Sequence, residues 1–339
     1  MSEVAARAGA SLKSVSRVVN GEPHVSPELD ARVRRAIVEL GYRPDRRARG
    51  LAADSNDGRL IGFVQVDAAN PWFAAVYRGL EDAALKQDGI VIAGSTDADP
   101  EREAALIETL MEFRVDGLVV AAAEGSDDFL RREIARGTQI VCVDRPLSDV
   151  NCDLVVCDNR EGTVAAVAHL LEIGHQRIAF VGGNQAVWTA RQRFQGYRDA
   201  LRDAGLTPSP ELEVVNVDHA DDAQEAVRRL FSLTDPPTAI FAAQDRITIG
   251  AVSALHAAGR QHDVALFGFD EIQFSEVLSP SISVVAQHPY EMGHRAGELL
   301  HDRLADRVSS RPARAVVPSS IIHRQSGNIR PASDGFGSG

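Results

Sequence analysis

The sequence predicts a short all-α head joined to a doubly wound, parallel α/β body, and three observations carry that prediction. The first 44 residues are punctuated as three short helices. From Leu60 onward, apolar strand-like runs alternate with segments of helical period. Charge divides at the same place. Residues 1–53 hold ten Lys or Arg against six acids, while the rest holds 26 against 42 and gives the chain its net charge of −12. A basic head on an acidic body lets one end approach phosphate while the other repels it.

In the head, Ser2 is the expected cap of a first helix ending at Ala8, and Gly9 supplies the turn. Ser11 caps a second helix that Asn20-Gly21 ends, with Gly21 suited to a left-handed position. Ser26 caps a third, Pro27 sits in its first turn where the missing N–H costs nothing, and Gly41 closes it. Leu29, Val33, Ala36, Ile37 and Leu40 form its expected buried stripe. The short link Gly9-Ala10 gives the helix-turn-helix pattern. In the second helix, Val15, Val18 and Val19 share one face; Leu12, Lys13, Ser16 and Arg17 share the other. A helix that buries valines and presents long donors and hydroxyls suits the reading of base edges. Taken alone, the pattern fits a solvated helix face equally well.

Residues 45–57 read as a charged linker, in which Leu51 stands apart among arginines. In the body, strands are expected at 60–66, 90–94, 118–122, 140–143, 177–181, 213–217, 238–242, 264–268 and 282–286. Helices are expected at 72–87, 101–113, 127–136, 161–173, 190–204, 221–233, 246–258 and 289–305. That is too much for one sheet. Two lobes are expected, with a ligand cleft at the carboxyl ends of their strands. Residues 331–339 read as a disordered tail.

Composition excludes several classes. No apolar stretch approaches the roughly 20 residues of a membrane span, and no secretory signal is visible near Met1; a cytoplasmic protein is expected. Cys142, Cys152 and Cys157 lack metal-ligand spacing and read as reduced thiols in or near core strands. No glycine-rich phosphate loop and no nucleophile elbow occur, and Asp158, His169 and His175 form no recognisable triad. His175 reads as a turn residue at a helix end. No enzyme activity, catalytic residue, cofactor or metal is expected.

The chain resembles the lac repressor family of bacterial transcription regulators over nearly its whole length. In the head the resemblance rests on Val4-Ala5, Ala8-Gly9, Ser14 to Gly21, Val25-Ser26-Pro27 and Ile37 to Pro44. In the body it rests on Asn70-Pro71-Trp72-Phe73, Arg114 to Leu118, Asp144-Arg145 and Asp158 to Gly162. It continues through Gly174-His175, Gly268-Phe269-Asp270, Gln287 and Pro318 followed by Ile321 to Ser326. The resemblance implies a helix-turn-helix domain over 1–44, a hinge helix and linker over 45–58, and a two-lobed core like a periplasmic sugar-binding protein over 59–330. Lobe 1 would span about 59–158 and 288–318, and lobe 2 about 159–287 and 319–330. It also implies a homodimer or a tetramer built from two dimers; no tetramerising heptads follow Ile329, which favours the dimer.

The resemblance carries over site residues. Leu12, Lys13 and Arg17 match base-reading positions, where Arg and Lys donate to guanine and Leu touches a thymine methyl. Ser11, Ser14, Ser16 and Asn20 suit phosphates or caps, which set register rather than sequence. Leu51 matches a minor-groove wedge that kinks the duplex, and Ala48 lets paired linker helices approach. For the ligand, Arg193 and Asp270 match the family's binding arginine and aspartate. Asp144, Arg145 and Gln287 complete a pocket similar to that of ribose-binding relatives, with Phe73 and Trp72 as stacking rings, although aromatics at a helix start are also ordinary core residues. Trp188 either adds a ring or lies on the lobe surface.

Three departures matter. The chain starts a few residues late for the family, which leaves the cap of the first helix open. Gly50 weakens the linker helix by about 1 kcal/mol relative to Ala, so that helix is expected only on DNA beside its dimer partner. Gln244 stands where Asn is usual beside Asp245, one methylene longer. The function expected is a DNA-binding regulator, a repressor, on a palindromic operator in double-stranded DNA, controlled by a monosaccharide or close derivative. The alternatives are a sugar receptor without a DNA role and a corepressor-type regulator answering a non-sugar metabolite.

Overall fold

The computed structural model describes residues 1–19, 22–23, 25–42, 59–148, 150–306 and 311–332, and contacts divide the chain into two units, Met1–Gly58 and Arg59–Gly339. The expected hinge helix, the end of the second helix at Asn20-Gly21 and the tail over 333–339 lie outside the described residues.

The first unit contains α1 (Ser2–Ala8), α2 (Leu12–Val19) and α3 (Pro27–Glu39). Ser2 does not cap α1: it lies inside the helix, and Met1 precedes it without a side-chain cap bond. Gly9 ends α1 at φ 56°, a left-handed conformation that costs glycine nothing. Ser11 Oγ accepts the Ser14 N–H at 3.0 Å, and Ser26 Oγ accepts the Leu29 N–H at 3.3 Å, so both expected caps form. Val4, Val15, Val18, Val33 and Ala36 make the core, with Val19, Leu29 and Ile37 packed partly against it. Leu40 departs from the expected stripe: it follows the last helical turn and is 43% exposed. An Arg7–Glu39 ion pair at 2.6 Å ties α1 to the end of α3.

The second unit is two lobes, each a six-stranded sheet between helical layers. The sheet of lobe 1 contains β1 (Leu60–Gln65), β2 (Ile90–Ser95), β3 (Gly117–Val120), β4 (Ile140–Val143), β5 (Asp153–Cys157) and β11 (Arg314–Val317). All its pairings are parallel, in the order β11-β5-β4-β3-β1-β2. Side chains alternate between its faces. Ile61, Phe63, Val141 and Val143 meet α4 (Pro71–Leu85) and α11 (Pro289–Leu304). Val64, Val120, Ile140 and Cys142 meet α5 (Pro100–Glu112) and α6 (Asp127–Ala135). Helices α4 and α11 touch backbone to backbone. A Cβ on Gly79 would sit 1.9 Å from the Tyr290 carbonyl, and one on Gly293 equally close to that of Val76.

Lobe 2 repeats the plan with β6 (Ile178–Val181), β7 (Glu213–Val214), β8 (Ala239–Ala242), β9 (Ala265–Phe269), β10 (Ser283–Ala286) and β12 (Ser320–Ile322). Their order is β12-β10-β9-β8-β6-β7, and only β12 is antiparallel to its neighbour. Helices α7 (Asn159–Glu172) and α8 (Trp188–Asp203) cover one face, and α9 (Ala220–Phe231) and α10 (Asp245–Ala257) the other. The chain crosses between lobes after β5, after β10 and after β11. Asp158 Oδ1 accepts the Ser319 N–H at 2.7 Å and His288 bonds Ser320 Oγ at 2.8 Å, so the three crossovers are stitched together.

Three strands were not expected from the sequence. β5 opens on an acid, Asp153, whose carboxylate is held by Arg303 and the Ala313 N–H. β11 and β12 are short flanking pieces formed by the returning chain. β7 is shorter than expected because Asn216 turns away at φ 61°. His175 is more than a turn residue. It is fully buried and bonds Thr238 Oγ1 at 2.9 Å and the Ile329 carbonyl at 2.8 Å, pinning the last segment to lobe 2. Burial holds its pKa below the usual imidazole value, which suits this neutral bridging role.

Candidate functional site

In the first unit, α2 buries Val15 and Val18 and turns Leu12 and Lys13 outward; Leu12 is 54% exposed. Leu12 is thus left in the open at the start of a helix that buries Val15 and Val18. Ser11 and Ser14 share a hydroxyl–hydroxyl bond of 2.9 Å while Ser11 caps the helix, so both sit at the amino end, where N–H groups and dipole favour a phosphate. Ser16 is half-buried one turn on. Arg17 does not reach outward freely. Its Nε donates to Glu22 at 3.2 Å and its Nη2 to the Pro23 carbonyl at 2.9 Å. This pair is exposed and worth about 1 kcal/mol or less, so it holds Arg17 only weakly. Asn20, Ala48 and Leu51 lie outside the described residues.

In the second unit, the carboxyl ends of both sheets open on one cleft of about 560 Å³. From lobe 1 come Trp72, Phe73, Asp144 and Arg145; from lobe 2 come Arg193, Gln244 and Asp270; Gln287 stands at the second crossover. The sequence reading named all eight. Trp188 is the exception. Its ring packs half-buried against the cluster containing Leu130, Cys142 and Leu147, while its neighbours Val187 and Thr189 line the cleft instead. An indole with a greasy lobe-1 surface within reach buries more area there than in a polar cavity.

The floor is built from two Asp–Arg pairs. β4 and β9 each run into an aspartate with a left-handed backbone, Asp144 at φ 74° and Asp270 at φ 71°. Each is held by an N–H bond to the neighbouring strand, to Val155 at 3.0 Å and Val285 at 2.9 Å. Asp144 meets Arg145 Nε at 3.4 Å, and Arg145 also lies 3.8 Å from Glu124. Asp270 accepts from Gln287 Nε2 at 2.7 Å and faces Arg193 at 3.5 Å. Arg193 is further fixed by Asn159 Oδ1 and the Ala243 carbonyl, each at 2.8 Å, and lies 3.7 Å over the Phe269 ring. Burial pushes the Asp270 carboxyl up to about 6, against the pull of Arg193.

Trp72 and Phe73 meet edge to face at 4.9 Å on the wall. Trp72 Nε1 and Gln287 Oε1 are buried without a hydrogen-bond partner among the described residues, one a donor and the other an acceptor. A ligand bearing hydroxyls satisfies both. Several cleft residues escaped the sequence reading, notably Asp67, Asn70, Asp245 and Arg246. They bridge the lobes: Asn70 Nδ2 donates to Asp245 at 3.3 Å, and Arg246 pairs with Asp67. Asn70 stood in the quoted run Asn70 to Phe73 and also caps α4, so a signal existed. Asp67 and Arg246 had none, since nothing local marks a loop acid and a helix-start arginine as partners across a cleft.

Among the described residues no group of three or more His, Cys, Asp or Glu is arranged to hold a metal ion. Cys142 and Cys152 lie with sulfurs 3.2 Å apart but unbonded, and Cys157 is buried.

Comparison with known proteins agrees with this geometry. Residues 1–45 match the family of bacterial regulatory proteins, lacI family, and residues 167–327 match the periplasmic binding protein-like domain. The HTH-type transcriptional repressor PurR of Mannheimia succiniciproducens is 30% identical over 327 residues, covering 95% of this chain and 97% of that protein. The ribose operon repressor of Escherichia coli is 32% identical over 309 residues, covering 90% and 92%. Among solved structures, the transcriptional regulator CelR in its cellobiose complex is 30% identical with a TM-score of 0.71, covering 96% of this chain and 98% of that one. The lac repressor dimer bound to operator and the anti-inducer ONPF shares the fold at a TM-score of 0.85 and 24% identity, covering 96% and 97%. The two curated relatives are named as transcriptional repressors. The chain belongs to the lacI family: it is a DNA-binding transcriptional repressor with a ligand-binding core.

Proposed function

We propose that the effector is a monosaccharide or close derivative that acts as an inducer, loosening a homodimer from a palindromic operator. The observation that carries the ligand reading is the pair of Asp–Arg units, Asp144–Arg145 and Asp270–Arg193, which meet in one cleft from opposite lobes beside Phe73 and Trp72. Alternating carboxylate and guanidinium forks bind vicinal hydroxyls, and a flat ring covers the apolar face of a sugar. The printed names of a ribose operon repressor and a cellobiose complex among the relatives point the same way.

On the DNA side, Leu12, Lys13 and Arg17 read bases, while Ser11, Ser14, Ser16 and Asn20 hold phosphates. Leu51 wedges into the minor groove, with Ala48 allowing the partner's linker to come close. A dimer is supported by apolar side chains left in the open on both lobes: Ile90 and Ile92 along the edge strand β2, and Phe274 and Val277, both at least 70% exposed, after β9. A two-fold dimer reads a palindrome.

Ligand touching both floors pulls the lobes together about the stitched crossovers. Closure then shifts the dimer contacts of lobe 1, whose first strand follows the linker. Coupling of about 1–3 kcal/mol is usual and changes operator affinity roughly 5–150-fold. The test is a thermal-shift screen of monosaccharides followed by operator retardation with any hit. A sugar that raises the melting temperature and releases operator is expected. Stabilisation by no sugar at all would discard the ligand reading, and tighter operator binding with the hit would reverse the sign.

A further inference from the structure

We infer that the cleft selects an uncharged sugar and turns away its phosphorylated and carboxylated forms; this deepens, and rests on, the sugar reading above. The observation is the charge of the lining. Seven carboxylates and three guanidiniums border the cavity. Each arginine already faces an acid: Arg145 faces Asp144, Arg193 faces Asp270 and Arg246 faces Asp67. No guanidinium of the lining is left over for an anion.

The four remaining carboxylates are Asp97, Glu124, Asp218 and Asp245. Arg145 is shared with Glu124 at 3.8 Å, and Asp97 pairs with Arg102, which is not part of the lining and is 54% exposed. Asp245, in the first turn of α10, accepts the Arg246 N–H at 2.7 Å and the Asn70 amide, and pairs with no cation among the described residues. Asp218 is an exposed residue of the lining and pairs with no cation among the described residues. The floor is therefore a set of near-neutral pairs, and the rim is acidic. A walled cleft lined by one sign focuses its field on what enters.

Hydrogen-bond capacity agrees with the charge. Trp72 Nε1 is one unpartnered donor, but the seven carboxylates and the orphaned Gln287 Oε1 are acceptors, so most of the lining calls for donors on the ligand. Sugar hydroxyls donate; a phosphate dianion only accepts. A phosphate brought to this rim faces surplus negative charge with no arginine fork to take it, whereas a phosphate-binding cleft normally supplies one.

Two measurements test this, and only one of them depends on which sugar binds. The first uses collisional quenching of Trp72, which lines the cleft, in a Trp188→Phe variant that removes the other indole. Caesium ion is expected to quench Trp72 more strongly than iodide at equal concentration. Asp97→Asn and Asp218→Asn together should raise iodide quenching. Iodide quenching as strong as caesium quenching overturns the acidic-rim proposal, whatever the ligand. The second is calorimetry with matched pairs: ribose against ribose 5-phosphate, and glucose against glucose 6-phosphate and glucuronate. For each parent that binds, the anionic form is expected to bind at least about tenfold more weakly at low salt, with the gap narrowing as salt rises. Equal or tighter binding of an anionic form overturns the selectivity. If no parent binds while caesium still exceeds iodide, the sugar reading fails and the acidic rim stands.

Discussion

Asp144 and Asp270 occupy the same place in the two lobes and live in different environments. Each ends the third strand in from the returning edge of its sheet, β4 or β9, with a left-handed backbone and an N–H bond to the next strand. Asp144 meets one guanidinium at 3.4 Å, and among the described residues that arginine's other charged partner is Glu124 at 3.8 Å. Asp270 is enclosed: Gln287 donates to it, and its arginine is fixed by an amide oxygen, a carbonyl and a ring face. Duplication of a fold thus repeats the backbone device but not the stiffness around it. Lobe 2 holds a pre-set hydrogen-bonding centre. Lobe 1 offers a looser one that a ligand can complete on closing.

The largest expected consequence is in stability. Arg193→Met leaves Asp270 buried without its cation and strips partners from Asn159 and the Ala243 carbonyl. Removing one member of a buried pair costs about 3–5 kcal/mol. Arg145→Met also leaves a buried aspartate, Asp144, but gives up only contacts of 3.4 and 3.8 Å and no carbonyl or amide partner, so it should cost less, about 1–2 kcal/mol. Urea denaturation of the two variants compares them directly. Equal losses, or a larger loss at Arg145, would break the asymmetry between the lobes.

The next consequence is in pH. The Asp270 carboxyl is pushed up to about 6 in the folded protein from its ordinary 3.8, because burial disfavours its charged form. As pH falls through 6 towards 3.8, the native state takes a proton that the unfolded chain does not. This group therefore stabilises the native state at low pH and withdraws that stability as pH rises through 6. The withdrawn amount is about 3 kcal/mol, being roughly two units at 1.36 kcal/mol each. Stability of the wild type minus that of Asp270→Asn, followed from pH 4 to 8, should fall with pH and flatten above about 6.5. A difference that rises with pH would mean that Arg193 outweighs burial.

How much of this was legible in the sequence depended on the range over which each signal acts. The caps at Ser11 and Ser26 and the valine face of α2 are local and read directly. The alternation of strand and helix carried most of the body, since buried parallel strands are continuous apolar runs such as Ile140–Val143. Strand β5 was missed because an acid opens it and its partner Arg303 lies 150 residues away. Ser2 failed as a cap because a serine near a chain start looks the same inside a helix as before it. At the cleft, family landmarks led to Asp144, Arg193 and Asp270, whereas Trp188 was an aromatic without a partner to decide its side. The lobe-bridging charges were invisible, because their meaning arises only when the two lobes meet.

Those bridging charges provide the smallest effect and the sharpest use of the comparison. Arg246–Asp67 and Asn70–Asp245 join the loop after β1 in one lobe to the first turn of α10 in the other. The ion pair is partly exposed, at 42% and 28%, so its contribution to stability is about 1 kcal/mol or less. Its leverage falls on closure, where a few tenths of a kcal/mol shift the balance between open and closed lobes. If lobe 2 is the pre-set partner and lobe 1 the one that closes onto it, Asp67→Asn should leave the association rate of a bound sugar nearly unchanged. Its dissociation should quicken up to about fivefold, the equivalent of 1 kcal/mol. The double exchange Asp67→Arg with Arg246→Asp should recover most of the lost residence time, because the pair is restored with its ends swapped. Faster dissociation in the double variant than in Asp67→Asn alone would show that the two segments do not meet when ligand is bound, and lobe 1 would then not be the closing partner.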